Sequence, residues 1–129
     1  MIRVFTSKSQ KIGETGEGLA VKYLVQKGFQ ILERNFTRPY GEIDIVALKD
    51  KVVHMIEVKS VSCDLEGDRS VLVRPEENMH PKKIERFVRV SEVYADMKKL
   101  EGDFKLDLAL VYIDDIHRKA KVVLHEDFL

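Results

Sequence analysis

The sequence predicts an α/β fold, a mixed β-sheet with a helix on each face. Two segments carry apolar residues at helical spacing, and the runs between and after them read as strands. The order is helix, three strands, helix, two strands. The second helix makes a crossover that returns the chain parallel to an existing strand, which mixes the sheet. The chain has 129 residues, the size of one ordinary domain. Residues 1–129 are therefore read as one domain, with 1 to about 8 as a loose arm or a short leading strand.

The first helix is expected from about Gln10 to Lys27, where Leu19, Ala20, Tyr23 and Leu24 recur on one face. Gly28 fits its C-terminal stop. "FQILERNF", Phe29 to Phe36, reads as a strand, and Arg38, Pro39, Tyr40 and Gly41 as a turn. Two strands follow, Glu42 to Leu48 and Lys51 to Ser60, joined at "KDK" as a hairpin. Val61 to about His80 is irregular, with a short strand expected in "VLVRPEE" before Pro75 ends it. Pro81 suits the start of a helix to about Leu100, with Ile84, Phe87, Val88, Ser91, Tyr94 and Ala95 as its apolar stripe and Gly102 as its stop. "FKLDLALVYID", Phe104 to Asp114, is a strongly apolar strand, and "AKVVLHEDFL" a last strand paired with it in hairpin fashion. No internal repeat, low-complexity segment or linker interrupts this order.

Composition narrows the function. Hydrophobic content of 44% fits a globular core. No run approaches ~18 apolar residues, so no membrane span is expected. The basic start "MIRVFTSKSQKIG" lacks the apolar region of a signal peptide. The single cysteine, Cys63, excludes an internal disulfide and is read as incidental. A cytoplasmic location follows. Net charge is +0, which weighs against a protein that coats DNA generically. Any nucleic-acid contact must come from a local patch.

The second and third strands hold charges where core residues would be expected. Glu42 and Asp44 share a face by two-residue alternation, and so do Glu57 and Lys59. If the strands pair as a hairpin, Asp44 and Glu57 come close. Two nearby carboxylates raise one pKa or require a cation between them. Oxygen ligands of this kind suit Mg²⁺ or Mn²⁺. Lys59 would orient or activate water, or meet phosphate charge. A third acid, Glu17, falls on one helix face with Ala20 and Leu24, and Glu14 fits that face less well. A plainer alternative stands beside this: a cross-strand charge pattern on an exposed face, with Glu17 a surface acid. Asp107, inside an apolar strand, reads equally as an inward polar group or a partner for a lysine. The four histidines, His54, His80, His117 and His125, show no metal-ligand spacing and receive no role.

Asp44 followed by Glu57-Val58-Lys59 on the next strand resembles the PD-(D/E)XK nuclease motif. More closely, "GEGLAVKYLVQKGFQILERNF", "GEIDIVAL" and "VHMIEVKS" resemble the YraN-like family of bacterial endonuclease-like proteins. The chain is similar, more loosely, to archaeal Holliday junction resolvases, which share an early helical Glu. The match runs from about Gly16 to Ser60, with weaker echoes in "RPEENMHPKKIERFVRVSEVYA" and "KLDLALVYID". The resemblance implies a restriction-endonuclease-like core. It implies Asp44, Glu57 and Glu17 as metal ligands and Lys59 as the catalytic lysine. Glu42 belongs to the "GEID" motif without an implied role. Where family members often carry a basic residue soon after "EVK", this chain has Ser60, Val61 and Ser62.

Lys82, Lys83, Arg86 and Arg89 lie at near-helical spacing, and Arg34, Arg38 and Arg74 flank the expected site in sequence order. Such residues hold phosphates without reading bases, although a solvated helix face interleaved with Glu85 and Glu92 gives the same pattern. No zinc-finger or helix-turn-helix signature occurs, so structure-selective recognition is the more natural expectation. The leading expectation is an Mg²⁺- or Mn²⁺-dependent deoxyribonuclease acting on branched or structured DNA. Symmetric two-strand cutting would require a homodimer. Its rivals are a non-catalytic nucleic-acid-binding or scaffold module of the same fold, and a protein adaptor.

Overall fold

The structure is a computed structural model that describes residues 8–67 and 79–129, with side chains described from residue 15 onward. The "VLVRPEE" segment, Arg74, the leading arm and the Glu14 side chain lie outside the described residues.

Helix α1 spans Lys8–Gln26. It buries Ala20 and Leu24 and leaves Val25 to solvent. Gly28 ends it as expected: φ of +92° turns the chain so that the N–H of Phe29 reaches the Leu24 carbonyl at 2.9 Å. Strands β1 (Gln30–Arg38), β2 (Gly41–Lys49) and β3 (Val52–Ser62) follow. The β2–β3 hairpin closes at Asp50 and Lys51, both with positive φ, as the tight turn twisted to suit its strands requires.

Helix α2 spans Pro81–Met97. His80 caps it by accepting the Lys82 N–H, and Pro81 takes the first turn, where its missing N–H costs nothing. Its end departs from expectation. Lys99, with φ of +52°, adopts the left-handed conformation, and Leu100 N–H bonds the Ala95 carbonyl at 3.0 Å. Gly102 lies beyond that stop. Strands β4 (Lys105–Asp114) and β5 (Lys119–His125) complete the chain.

The sheet order is β1-β2-β3-β4-β5. All neighbours are antiparallel except β3 and β4, which run parallel from His54–Lys105 to Ser62–Ile113. The crossover through α2 forces that parallel pair. The two helices cover opposite faces. On one face, Ala20 and Leu24 of α1 pack with Ile45, Ala47, Ile56, Ala109 and Val111. On the other, Phe87, Val90 and Tyr94 of α2 pack with Phe36, Val46, Met55, Leu108 and Leu110. Val90, fully buried, belongs to the α2 stripe although the sequence reading passes over it. This is a mixed α/β sheet of the restriction-endonuclease-like kind. Among the described residues, no helix is long and apolar enough to cross a membrane.

Alternation along β2 breaks at one residue. Ile43 packs into the α2 cluster and Ile45 into the α1 cluster, though they are two residues apart. Asp44 lies between them. The β2–β3 ladder begins only at Ile45–Ile56, so the two strands part on the Asp44 side. On β1, Asn35 adopts a φ of +54° between the Arg34–Ile45 and Phe36–Ile43 pairs, which bends the neighbouring strand at the same level.

Candidate active site

The fork between β2 and β3 holds Asp44 and Glu57. Both are buried, at 6% and 5% exposure. Asp44 Oδ2 accepts the backbone N–H of Val58 at 2.8 Å, replacing the ladder bond that Val58 loses where the strands part. Glu57 Oε1 receives the Lys83 ammonium of α2 at 3.0 Å. Odd-numbered residues of β3 face α2, as Met55 and Val61 show, and even-numbered Ile56 and Val58 face α1. Lys59 therefore lies on the Glu57 side of the strand, half-buried.

Electrostatics follow from this placement. Burial, and then the adjacent Asp44, push the Glu57 carboxyl up to about 8. Burial raises Asp44 as well, with the Val58 N–H pulling against it. Partial burial disfavours the Lys83 ammonium, but Glu57, Asp44 and Glu42 together outweigh it and hold Lys83 above the usual lysine value. The described site sets two repelling acids against one bonded ammonium.

A cavity of about 240 Å³ opens on Glu57, lined also by Gly41, Glu42, Lys83, Arg86 and Phe87. A shallower groove of about 600 Å³ shares Gly41, Glu42 and Arg86 with it and continues past Thr37, Arg38, Pro39 and Tyr40. Gly41 lets α2 approach. A Cβ there would stand 3.1 Å from the Arg86 carbonyl oxygen and 3.2 Å from its Cβ. Arg89 covers the Tyr40 ring at 4.2 Å, and Arg38 covers the Phe36 ring at 4.2 Å while donating to Met97 Sδ.

The structure thus gathers Asp44, Glu57 and Lys83, with Glu42 and Arg86 on the cavity wall and Arg38 farther along the groove. Glu42 is exposed while Asp44 is buried, and the charges of both act on Lys83. Arg34 and Lys82 are exposed and line neither opening. Glu17 lies on α1, across the sheet from α2, half-buried. Its neighbour Gly16 rests on Ser60, where an added Cβ would fall 1.7 Å from Ser60 Oγ. α1 therefore brings Glu17 to the sheet beside the residue that follows Lys59.

Oxygen donors that are buried, adjacent and raised in pKa fit a hard divalent cation, as the chemistry of Mg²⁺ and Mn²⁺ requires. Two other polar clusters are already satisfied by N–H groups. Asp107 Oδ2 meets His54 Nδ1 at 2.5 Å, and its Oδ1 accepts the Asp127 N–H at 2.8 Å. Asp107 is thus an inward polar group whose partner is a histidine. Asp114 accepts N–H bonds from Leu65 and His117, and the His117 ring besides. The Asp107–His54, Asp107–Asp127 and Asp114–Leu65 pairings escaped the sequence because spacing cannot reveal partners far apart in the chain. Lys83 is expected from the sequence as a phosphate contact; what escaped was its pairing with Glu57. Gly16, a glycine inside a helix, was the one available signal for the close α1–β3 approach.

A model of the uncharacterised protein family UPF0102 matches residues 16–111. A UPF0102 protein of Campylobacter lari is 44% identical over 104 residues, covering 81% of this chain and 86% of that protein. One from Sulfurovum sp. is 36% identical over 113 residues, covering 87% and 93%. One from Fervidobacterium nodosum is 37% identical over 100 residues, covering 78% and 70%. The matched region contains α1 from Gly16 onward, all of α2, the β2–β3 fork and every residue that lines the cavity, and on this ground the chain belongs to the UPF0102 family, the YraN-like group.

Proposed function

We infer that this chain is a divalent-metal-dependent deoxyribonuclease of the cytoplasm, with Asp44 and Glu57 as the principal metal ligands. The observation that carries this reading is the pair of carboxylates buried side by side at a strand fork, under a cavity with cationic walls. Burying two acids together is costly, and the Val58 N–H and a half-exposed lysine offset only part of that cost. A bound cation would offset that cost.

Bound Mg²⁺ or Mn²⁺ supplies an acidified water and charge stabilisation at phosphorus. The remaining work falls to the chain. Asp44 is fixed by Val58 N–H, so one carboxylate oxygen is oriented before any ligand arrives. Lys59, on the same strand side as Glu57, orients the attacking water or contacts the scissile phosphate. Glu17 adds a carboxylate from α1. Arg86 on the cavity wall and Arg38 along the groove hold flanking phosphates without reading bases. Recognition by backbone alone favours structured DNA, such as branches or flaps, over a sequence. Two-strand cutting would use a homodimer.

The zero net charge favours one rival, a protein adaptor with no nucleic-acid role; the other rival is a nucleic-acid-binding or scaffold module without catalysis. The discriminating experiment incubates wild type and Asp44→Asn with single-stranded, duplex, flap and four-way-junction DNA, in Mg²⁺, Mn²⁺ or EDTA. The nuclease reading expects cleavage that needs metal and disappears in the variant. Binding of branched DNA by both proteins, with no cleavage of any substrate, would replace it with the binding module.

A further inference from the structure

Lys83 stands apart from the rest of its basic stripe. Lys82 and Arg89 point elsewhere: Lys82 is exposed outside the cavity, and Arg89 lies over Tyr40. Lys83 reaches the buried Glu57 from the first turn of α2. That reach is built into the fold. His80 and Pro81 start the helix at this point, and Gly41 allows its backbone close to the β1–β2 turn at Arg86.

The two partners differ in burial. The Glu57 side chain is 6% exposed, whereas that of Lys83 is 50% exposed. The ammonium therefore enters from the solvent side and can leave without disturbing the core. A half-exposed ion pair of this kind is weak, and lysine lacks the planar two-pronged grip that would make arginine hard to dislodge. Yet among the described residues Lys83 is the only cation bonded to either acid. Lys83 and a divalent ion would compete for the same Glu57 oxygen, and their like charges repel.

We propose that the Lys83 ammonium is the resident counter-ion of the Asp44–Glu57 pair and that a divalent cation binds by displacing it. This rests on the metal-site reading given above. Before metal binds, the lysine offsets one of the pair's charges, and occupation by metal turns it outward into the cavity beside Arg86. There a phosphate oxygen is its natural next partner.

Acylation of lysines by acetic anhydride, followed by residue-resolved mass spectrometry, tests the exchange on the whole protein. Calorimetry on the same samples records Mg²⁺ binding. An ion-paired ammonium acylates slowly. Mg²⁺ should speed labelling of Lys83 by about threefold or more while the adjacent Lys82 stays constant. Glu57→Gln should label quickly at Lys83 without Mg²⁺, and Asp44→Asn should lose the Mg²⁺ response. Calorimetric binding of Mg²⁺ with an unchanged Lys83 rate would overturn the exchange and leave the metal site standing. Absence of any Mg²⁺ binding would overturn the metal site itself, and the exchange with it.

Discussion

The Val58 N–H and the Asp44 Oδ2 face each other at 2.8 Å across the gap where β2 and β3 separate. A side chain stands in for a strand carbonyl, and this lets two strands part without stranding a buried donor. Asp44 therefore has two roles that substitution can separate. Asparagine keeps an acceptor for Val58 and loses the charge. Alanine loses both. In urea denaturation, Asp44→Ala should be less stable than Asp44→Asn by about 1–3 kcal/mol, the cost of an unsatisfied buried donor. Both should lack metal-dependent cleavage.

Glu57 predicts a pH dependence of stability. Its folded pKa of about 8 lies above the ordinary 4.5, so between these values the folded state binds more protons than the unfolded chain. Stability from this group is full below 4.5 and falls as pH rises toward 8. Thermal melts in EDTA should show Glu57→Gln matching wild type near pH 5 and melting several degrees higher near pH 9. A constant difference across the range would show that the carboxyl does not titrate in this window.

Gly16 and Ser60 set the spacing between α1 and β3. Gly16→Ala places a methyl where Ser60 Oγ now lies, an overpacking that should cost about 1–3 kcal/mol. Removing the hydroxyl in the double variant Gly16→Ala/Ser60→Ala should recover part of that loss in denaturation midpoints. Because Glu17 adjoins Gly16, cleavage should fall in the single variant and partly return in the double. Additive losses would mean that the two positions are not in contact.

Much of this was readable in the chain. The alternating charges of Glu42, Asp44, Glu57 and Lys59 marked the strand pair on which Asp44 and Glu57 come together, and the helix–strand order gave the topology, including the crossover and the parallel β3–β4 pair. What escaped was set by distant pairing. Lys83 sits on a surface-like basic stripe, and only docking of α2 brings its ammonium to Glu57. His54 and Asp107 look unrelated until β3 and β4 align. Asn35 gave no warning that it would take a left-handed conformation within a strand. The early end of α2 ran against the expectation for Gly102, because Lys99 takes the left-handed conformation and the Leu100 N–H closes on the Ala95 carbonyl, a stop made without glycine.

The Asp114–His117 cluster predicts a second pH effect, far from the acids of the fork. Bonds from the His117 backbone, its ring and the Leu65 N–H lower Asp114 to about 2, from an ordinary 3.8. Its contribution is present above 3.8 and lost as pH falls through 2. The hydrogen bond to Asp114 raises His117 above 6.5. Its contribution is present below 6.5 and lost as pH rises through the raised value. Hydrogen exchange of the Leu65 and His117 amides should therefore accelerate above neutrality more than the change in pH alone requires. His117→Ala should remove that excess.

The hairpin that carries Asp44 and Glu57 is local in the chain, whereas Lys83 arrives only when the crossover helix docks. During folding the two acids thus meet before their counter-charge does. Local contacts form in microseconds, and the parallel β3–β4 pairing that seats α2 must first close a long loop. Refolding should be faster at a pH where the acids are protonated. The arrangement that serves the finished site is an obstacle in its own assembly.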